Sequence, residues 1–316
     1  MKLVIPGGSG HVGGVVARAF MRAGHAVVVL SRTPQPAEWR TLAWDGRSLG
    51  AWAREIEGAD VVLNLAGHSV DCRYTPTNRA RILASRLEST RVVGEAIAHC
   101  ANPPRVWLQA STATIYAHTL SAPHDEAGVI GGDEPDAPDT WRFSIEVATR
   151  WERALAEAAT PRTRKIALRS AMTMSPTPGS IFAVLSRLAR FGLGGPVAGG
   201  HQFVSWIHQD DFLAALNFLI ARDEIDGAVN VCAPNPLPYT DFMRALRRAW
   251  GMPIGLPATA WMLEIAAFVL RTESELVLKS RRVVPGRLLR AGFTFAQPAW
   301  PSAASDLVAR FRTRGE

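Results

Sequence analysis

The stretch that most constrains the fold is "KLVIPGGSGHVGGVVARAFMRAG", residues 2–24. A short apolar run enters a glycine-rich turn, and an amphipathic helix follows that stops at Gly24. Gly7, Gly10 and Gly13 form G-x-x-G-x-x-G at that junction. The first glycine permits a tight turn. The second lets backbone N–H groups approach a pyrophosphate, and the third lets the helix pack closely on the strand. The pyrophosphate would then lie at the positive helix N-terminus. A glycine triplet alone is weak evidence, and the plain alternative is a turn without a ligand. Placed between a strand and a helix, it predicts a dinucleotide pocket. The contacts assigned to it are Gly7, Gly10, His11, Val12 and Gly13.

Further buried-strand patterns follow: "AVVVL", "ADVVLNLAG", "RVWLQAST" and "RKIALRSAM", separated by amphipathic helices. Such alternation predicts an α/β fold, a Rossmann-type doubly wound parallel sheet. After Pro176 the texture changes to the helix "SIFAVLSRLARFG", the glycine-rich loop "GLGGPVAGGHQ", and a strand leading into a helix at "FVSWIHQDDFLAALNFLIA". "GAVNVCAP" reads as one more strand, and from Leu237 the chain is mostly helical, including "ATAWMLEIAAFVLRT". The expected division is a Rossmann domain at 1–175 and 203–235. A smaller, discontinuous, mostly helical C-terminal lobe takes 176–202 and 236–316. At its glycine density the loop would act as a lid.

The 316 residues carry a formal charge of +7 with 47% hydrophobic residues, so the chain is globular. The basic residues are scattered, with no run alternating with exposed aromatics, so no nucleic-acid partner is expected. Cys72, Cys100 and Cys232 lack metal-ligand spacing. Neither a metal site nor a disulfide frame is expected, and the usage fits a reducing cytoplasm. The apolar segment "WMLEIAAFVL" is too short to span a bilayer and carries Glu264, so no membrane association is expected. The expected partner is a small-molecule substrate, and the chain is either a monomer or a homodimer.

The second strand pattern ends "VVVLSRTP". An acidic residue there would hold the ribose 2′-hydroxyl of NAD. Ser31 and Arg32 stand there instead, and a guanidinium can pair with a 2′-phosphate. NADP (NADPH) is therefore preferred over NAD, with the alternative that Arg32 is a solvated loop residue. Asp60 could approach the adenine through its neighbouring backbone.

These residues resemble the extended short-chain dehydrogenase/reductase superfamily. "NLAG" is similar to its loop beside the cofactor, which assigns Leu65, Ala66 and Gly67 to cofactor contact. "STATIYA" resembles its strand-end motif, with Thr112 matching the catalytic Ser/Thr. A closer resemblance is to an atypical branch, "epimerase family" proteins with a small helical C-terminal domain, some of them cell-division-inhibitor-like. It runs through "AGHSVDCRYT", "ILASR", Trp151-Glu152, "GGPVAGGHQFVSWIHQDD" and "SRRVVPGRLLRAGFTF" over nearly the whole chain. The resemblance implies an NADP-binding oxidoreductase or sugar-nucleotide epimerase. Pro6, His11 and Tyr74 depart from residues common in the branch.

The larger departure is in "DTWRFSIEVATRW", residues 139–151, where the superfamily's Tyr-x-x-x-Lys pair belongs. Phe143 with Val147, or Ser144 with Ala148, occupies that region. Phenylalanine moves no proton. The three tyrosines (Tyr74, Tyr116, Tyr239) and three lysines (Lys2, Lys165, Lys279) contain no such pair. Tyr116 and His208 are the candidate substitutes beside Thr112. Tyr116 could equally be a packed aromatic. His208 could open the next helix, with Asp210 or Asp211 as its cap. Arg169 ends a strand near the nicotinamide position. His68, Arg73, Tyr74 and Gln202 are the candidate substrate contacts. Two readings stand: an NADP-dependent oxidoreductase or epimerase-like enzyme acting on a small molecule, or a catalytically weak or inactive NADP-binding regulatory protein. Polar groups converging beside the nicotinamide would favour the enzyme; a filled apolar slot would favour the sensor.

Overall fold

Alternating burial along the apolar runs builds the sheet. In β1 (Lys2–Pro6), Leu3 and Ile5 face one layer of helices and Val4 the other. The remaining strands of the sheet are β2 (Ala26–Ser31), β3 (Arg40–Ala43), β4 (Val61–Asn64), β5 (Val106–Thr112), β6 (Arg164–Ser170) and, late in the chain, β10 (Gly227–Val231). The computed structural model describes residues 1–135, 137–258 and 275–315. Among these, seven strands pair in the order β10-β6-β5-β4-β1-β2-β3, and every pairing is parallel. The expected doubly wound sheet is therefore present. Sequence reading passed over β3 because it is short, with both ends exposed, at the sheet edge.

Helices cover both faces. The helix α1 (His11–Arg22) packs Val16 and Phe20 onto Leu3, Ile5 and Val29. Opposite lie α2 (Pro76–Ala98) and α3 (Asp139–Glu157), which bury Val92, Val93 and Leu155 against Val4, Val62 and Trp107. Thr75 caps α2, its hydroxyl accepting from Asn78 N, and Pro76 is the first helical residue. Phe143 and Trp151 lie on the buried face of α3, so the helix that lacks the proton-transfer pair persists as scaffold.

The smaller lobe follows β6. It consists of β7 (Met172–Met174), α4 (Ile181–Arg190), β8 (Phe203–Val204), β9 (Trp206–His208), β11 (Leu237–Pro238), α6 (Tyr239–Trp250) and the C-terminal helix Trp300–Gly315. Its core joins Phe182, Trp206, Phe242, Leu246, Trp300 and Leu307. Phe242 stacks on Trp300 at 4.1 Å, and the Trp300 indole N–H donates to the Phe242 carbonyl at 2.8 Å. Between β9 and β10, α5 (Gln209–Ala221) returns to the α1 face of the sheet. The expected helix "ATAWMLEIAAFVLRT" begins at Ala258, and its residues 259–272 lie outside the described residues.

The glycine-rich loop is not a free lid. Backbone hydrogen bonds tie it to residues 256–258: Leu256 N to Gly192 O (2.7 Å), Ala258 N to Pro196 O (2.9 Å) and Ala198 N to Ala258 O (3.1 Å). Gln202 is buried beneath it, donating to Val197 O at 3.2 Å. The expected substrate contact at Gln202 is thus replaced by a loop-closing one.

His208 is also structural. It caps α5 itself, Nδ1 accepting from Asp210 N at 3.1 Å, while Nε2 donates to Asp306 at 3.1 Å. It is fully buried. The Asp211 carboxylate instead accepts from Ala296 N and Gln297 N, anchoring the tail. Burial holds the His208 imidazole below its ordinary 6.5, against the pull of Asp210 and Asp306. The unfolded chain therefore binds this proton more readily than the native one. Stability is full above pH 6.5 and falls as the pH drops below it, with a slope of up to about 1.4 kcal/mol per pH unit from such a group. Chemical denaturation across this window should show that slope, and His208→Asn, which keeps a capping oxygen, should flatten it.

Candidate functional site

Strand order reverses between β1 and β4, and a cleft of about 260 Å³ opens over the C-terminal ends of the strands there. Gly7 stands at a φ of +72°, and a Cβ on it would lie 2.5 Å from Ala66 Cα. Only glycine lets the turn after β1 rest on the loop after β4. Asn64 shapes that loop from below, its Oδ1 accepting from Ala66 N and its Nδ2 donating to Gln109. Gly13 packs on Gly8, where a Cβ would come within 2.3 Å of a carbonyl oxygen. Gly10 differs: a Cβ there would meet nothing within 4 Å. It precedes α1 with no side-chain cap and no acidic residue in the first turn. The unpaired N–H groups of α1 therefore face an open cradle, as an anion requires.

The cleft is lined by Gly7, Gly10, Ser31, Arg32, Leu65, Ala66 and Gly67, by His68, which sequence reading assigned to substrate instead, and by Trp44, Asp45 and Arg47. Arg32 makes no ion pair among the described residues, whereas Arg47 pairs with Glu88 at 2.7 Å. The Asp45 carboxyl, drawn down to about 2, is held by the Ser48 hydroxyl and the N–H groups of Ser48 and Arg47. The His11 ring turns away to Thr177 at 2.7 Å, and Val12 packs into the core. Any contribution of His11, Val12 and Gly13 to an anion comes from their backbone. Asp60 lies at the opposite edge of the sheet, its carboxylate accepting from Lys2 N, so it is no adenine contact.

A second cavity, of about 230 Å³, lies beyond the ends of β5 and α3. Thr112 and Thr114 come from the end of β5, Phe143 and Ser144 from α3, Tyr74 and Arg86 from the α2 side, and Glu275 and Arg281 from the C-terminal segment. Thr112 Oγ1 accepts from Thr114 N at 3.1 Å. The Tyr74 ring meets Phe143 edge-on at 5.1 Å, and its hydroxyl approaches Ser144 and Glu275 at 3.5 Å. Ser144 donates to Glu275 at 2.6 Å. Arg86 lies against Gly67 of the first cleft, so the two hollows share a wall. Neither hollow is lined by Arg73.

Two expectations fail on geometry. Tyr116 is buried, stacked on His124 at 5.3 Å, and outside the lining of both hollows. Its hydroxyl donates to Asn230 at 2.7 Å and accepts from Arg169 at 2.8 Å. Burial pushes the phenol up, away from any working pH, despite Arg169. Arg169 in turn makes a two-pronged pair with Glu152 at 2.9 and 2.8 Å, so it faces the interior rather than a nicotinamide. A wider hollow, about 1250 Å³, lies at the opposite sheet edge around the first residues of β6 and β10. Its Arg162, Arg164 and Lys165 are already bound to backbone carbonyls.

Glu275, Arg281 and Arg86 escaped sequence assignment. Arg86 stood in the quoted "ILASR". Glu275 and Arg281 lie in "ESELVLKSRR", where helical patterning hid their chemistry. Among the described residues no cluster of His, Cys, Asp or Glu could hold a metal ion, and no helix is long and apolar enough to cross a membrane.

The chain's sequence matches the NAD dependent epimerase/dehydratase family over residues 3–232 and a domain of unknown function (DUF1731) over residues 258–307. The epimerase family protein SDR39U1 of Mus musculus is 30% identical, covering 98% of this chain and all of the relative. The crystal structure of human epimerase family protein SDR39U1 with NADPH superposes with a TM-score of 0.84 at 27% identity, over 98% of this chain and 99% of that one. MoeE5 in complex with UDP-glucuronic acid and NAD, 17% identical over the full length of both chains with a TM-score of 0.76, shares the fold. The chain belongs to the NAD dependent epimerase/dehydratase family.

Arg169→Met, which leaves the half-buried Glu152 with only the Ser111 hydroxyl and takes a donor from Tyr116, should cost about 1–3 kcal/mol in urea unfolding. Dinucleotide affinity, measured on the folded fraction, should stay unchanged. Weakened affinity at full stability would return Arg169 to the cofactor.

Proposed function

We propose that this member of the NAD dependent epimerase/dehydratase family binds a nicotinamide dinucleotide in the first cleft, NADPH in preference to NADH, and acts on a small molecule in the second cavity. The observation that carries this is the cradle at Gly10. Its lack of a side chain is not required by packing, and it opens the α1 N-terminus to an anion. Gly7 and Gly10 would hold the pyrophosphate, and Leu65 to Gly67 would border the ribose. Arg32, next to Ser31 at the end of β2 and without a carboxylate partner among the described residues, would meet the 2′-phosphate. The relative solved with NADPH supports this choice. When bound, the nicotinamide supplies or accepts a hydride.

The lining of the second cavity favours an enzyme over a sensor. Thr112, Thr114, Ser144, Tyr74, Glu275 and Arg281 converge there, whereas a sensor needs only a filled apolar slot. Its volume suits a compact substrate. Thr112 would orient a carbonyl or hydroxyl, and Phe143 with Tyr74 would exclude water from one side.

Fluorescence titration tests the cofactor assignment. NADPH should bind at least about tenfold more tightly than NADH, since a charge-assisted contact contributes about 1.5–3 kcal/mol. Arg32→Ala should remove most of that difference while leaving NADH binding intact. Equal affinities in the wild type would count against NADPH preference, and binding of neither would end the reading.

A further inference from the structure

The geometry points to Glu275, acting through the Ser144 hydroxyl, as the proton-carrying group of the second cavity, in place of the absent tyrosine. This rests on the reading of the chain as a nicotinamide-dependent enzyme.

Three observations carry it. Ser144 follows Phe143 directly on α3, so it presents a hydroxyl within one residue of the position the sequence leaves without one. That hydroxyl is bound at 2.6 Å to a carboxylate that is 1% exposed and lines the same cavity. The other carboxylate oxygen, Oε1, is buried without a hydrogen-bond partner among the described residues, and Arg281 approaches it at 3.5 Å. A carboxylate so placed is costly to keep ionised, and protonating it removes the cost. Its surroundings oppose one another. Burial pushes the Glu275 carboxyl up, while Arg281, Ser144, Lys279 and Tyr74 pull it down. Arg86, on α2, adds a further cation to the lining. Burial outweighs the charges, so the net direction is up, toward the protonated acid.

The Tyr74 phenol also lines the cavity, at 3.5 Å from Ser144 and Glu275, whereas Lys279, Tyr116 and His208 are committed elsewhere. Lys279, brought down to about 8 by burial, donates to Thr114 O at 2.7 Å and does not line the cavity. Tyr116 and His208 are buried in structural networks.

In the reducing direction, the Glu275 O–H bond breaks and its proton passes to Ser144 Oγ. Ser144's own proton passes to the oxygen of a substrate carbonyl. The carbonyl carbon takes the two electrons as a hydride from the reduced nicotinamide, giving an alcohol. The Glu275 carboxylate left behind, next to Arg281, regains a proton from solvent. Oxidation runs the same steps backwards.

Infrared difference spectra of the full-length, NADPH-loaded protein, wild type minus Glu275→Gln, read the carboxyl directly. Over a pH range that starts above the ordinary glutamate value of about 4.3, a protonated-carboxyl band that is lost on further alkalinisation is expected, since burial pushes Glu275 up. A residue ionised across the whole range would overturn the proposal, whether or not any substrate turns over. NADPH oxidation with diacetyl and benzaldehyde supplies the second readout. Glu275→Gln should lower the rate about 10²–10⁴-fold and abolish its pH profile, with NADPH affinity unchanged. Ser144→Ala should follow the same direction, and Glu275→Asp should recover part of the rate. Glu146→Gln, on the exposed face of α3 and paired with Arg150, serves as the control. A wild-type rate and pH profile in Glu275→Gln would overturn the proposal. Failure of the wild type to bind NADPH would instead defeat the functional reading.

Discussion

The close approach of Gly7 to Ala66 sets the geometry on which the rest depends. It lets two loops from neighbouring strands lie in backbone contact at the point where strand order reverses. The Gly8–Gly13 contact then seats α1 so that its N-terminus looks into the crevice between them. Both contacts are steric, and in both a single methyl group would collide with backbone that cannot yield. The open Gly10 is their complement: packing does not require it, so it is explained by what the cradle holds.

Around this centre the molecule uses its buried charges structurally. Arg169, Glu152, Tyr116 and Asn230 form one network tying β6, α3, the end of β5 and β10 together. His208 joins the start of α5 to the C-terminal helix through Asp306. These residues were plausible for chemistry because their types are versatile. Their polar atoms already bond one another within the fold, away from both hollows. The second cavity is different, since Glu275 in its lining keeps a carboxylate oxygen without a hydrogen-bond partner among the described residues.

The C-terminal segment completes that cavity from far along the chain. Arg281 donates to the Thr114 hydroxyl and Lys279 to its carbonyl, so the segment is clamped on the loop after β5. Val284 N and His124 N pair with backbone across the same seam. This clamp carries Glu275 to Ser144. The C-terminal segment therefore delivers the cavity's buried acid.

The lining of the first cleft was legible in the sequence because it is local. A turn, a strand end and a four-residue loop each carry their own signature: Gly7 to Gly13, Ser31–Arg32 and Asn64–Gly67. Parallel pairing then brings strand ends together at one sheet edge without further information. The absence of a Tyr-x-x-x-Lys pair was likewise decidable by inspection. What replaces it was not. Glu275 and Ser144 are 131 residues apart, and no periodicity links them. Nor could residue type separate Tyr116 and His208, whose polar atoms are already bonded, from Glu275, which keeps an oxygen without a hydrogen-bond partner among the described residues. Partnering depends on which distant groups fold against a side chain, and tertiary packing alone decides that.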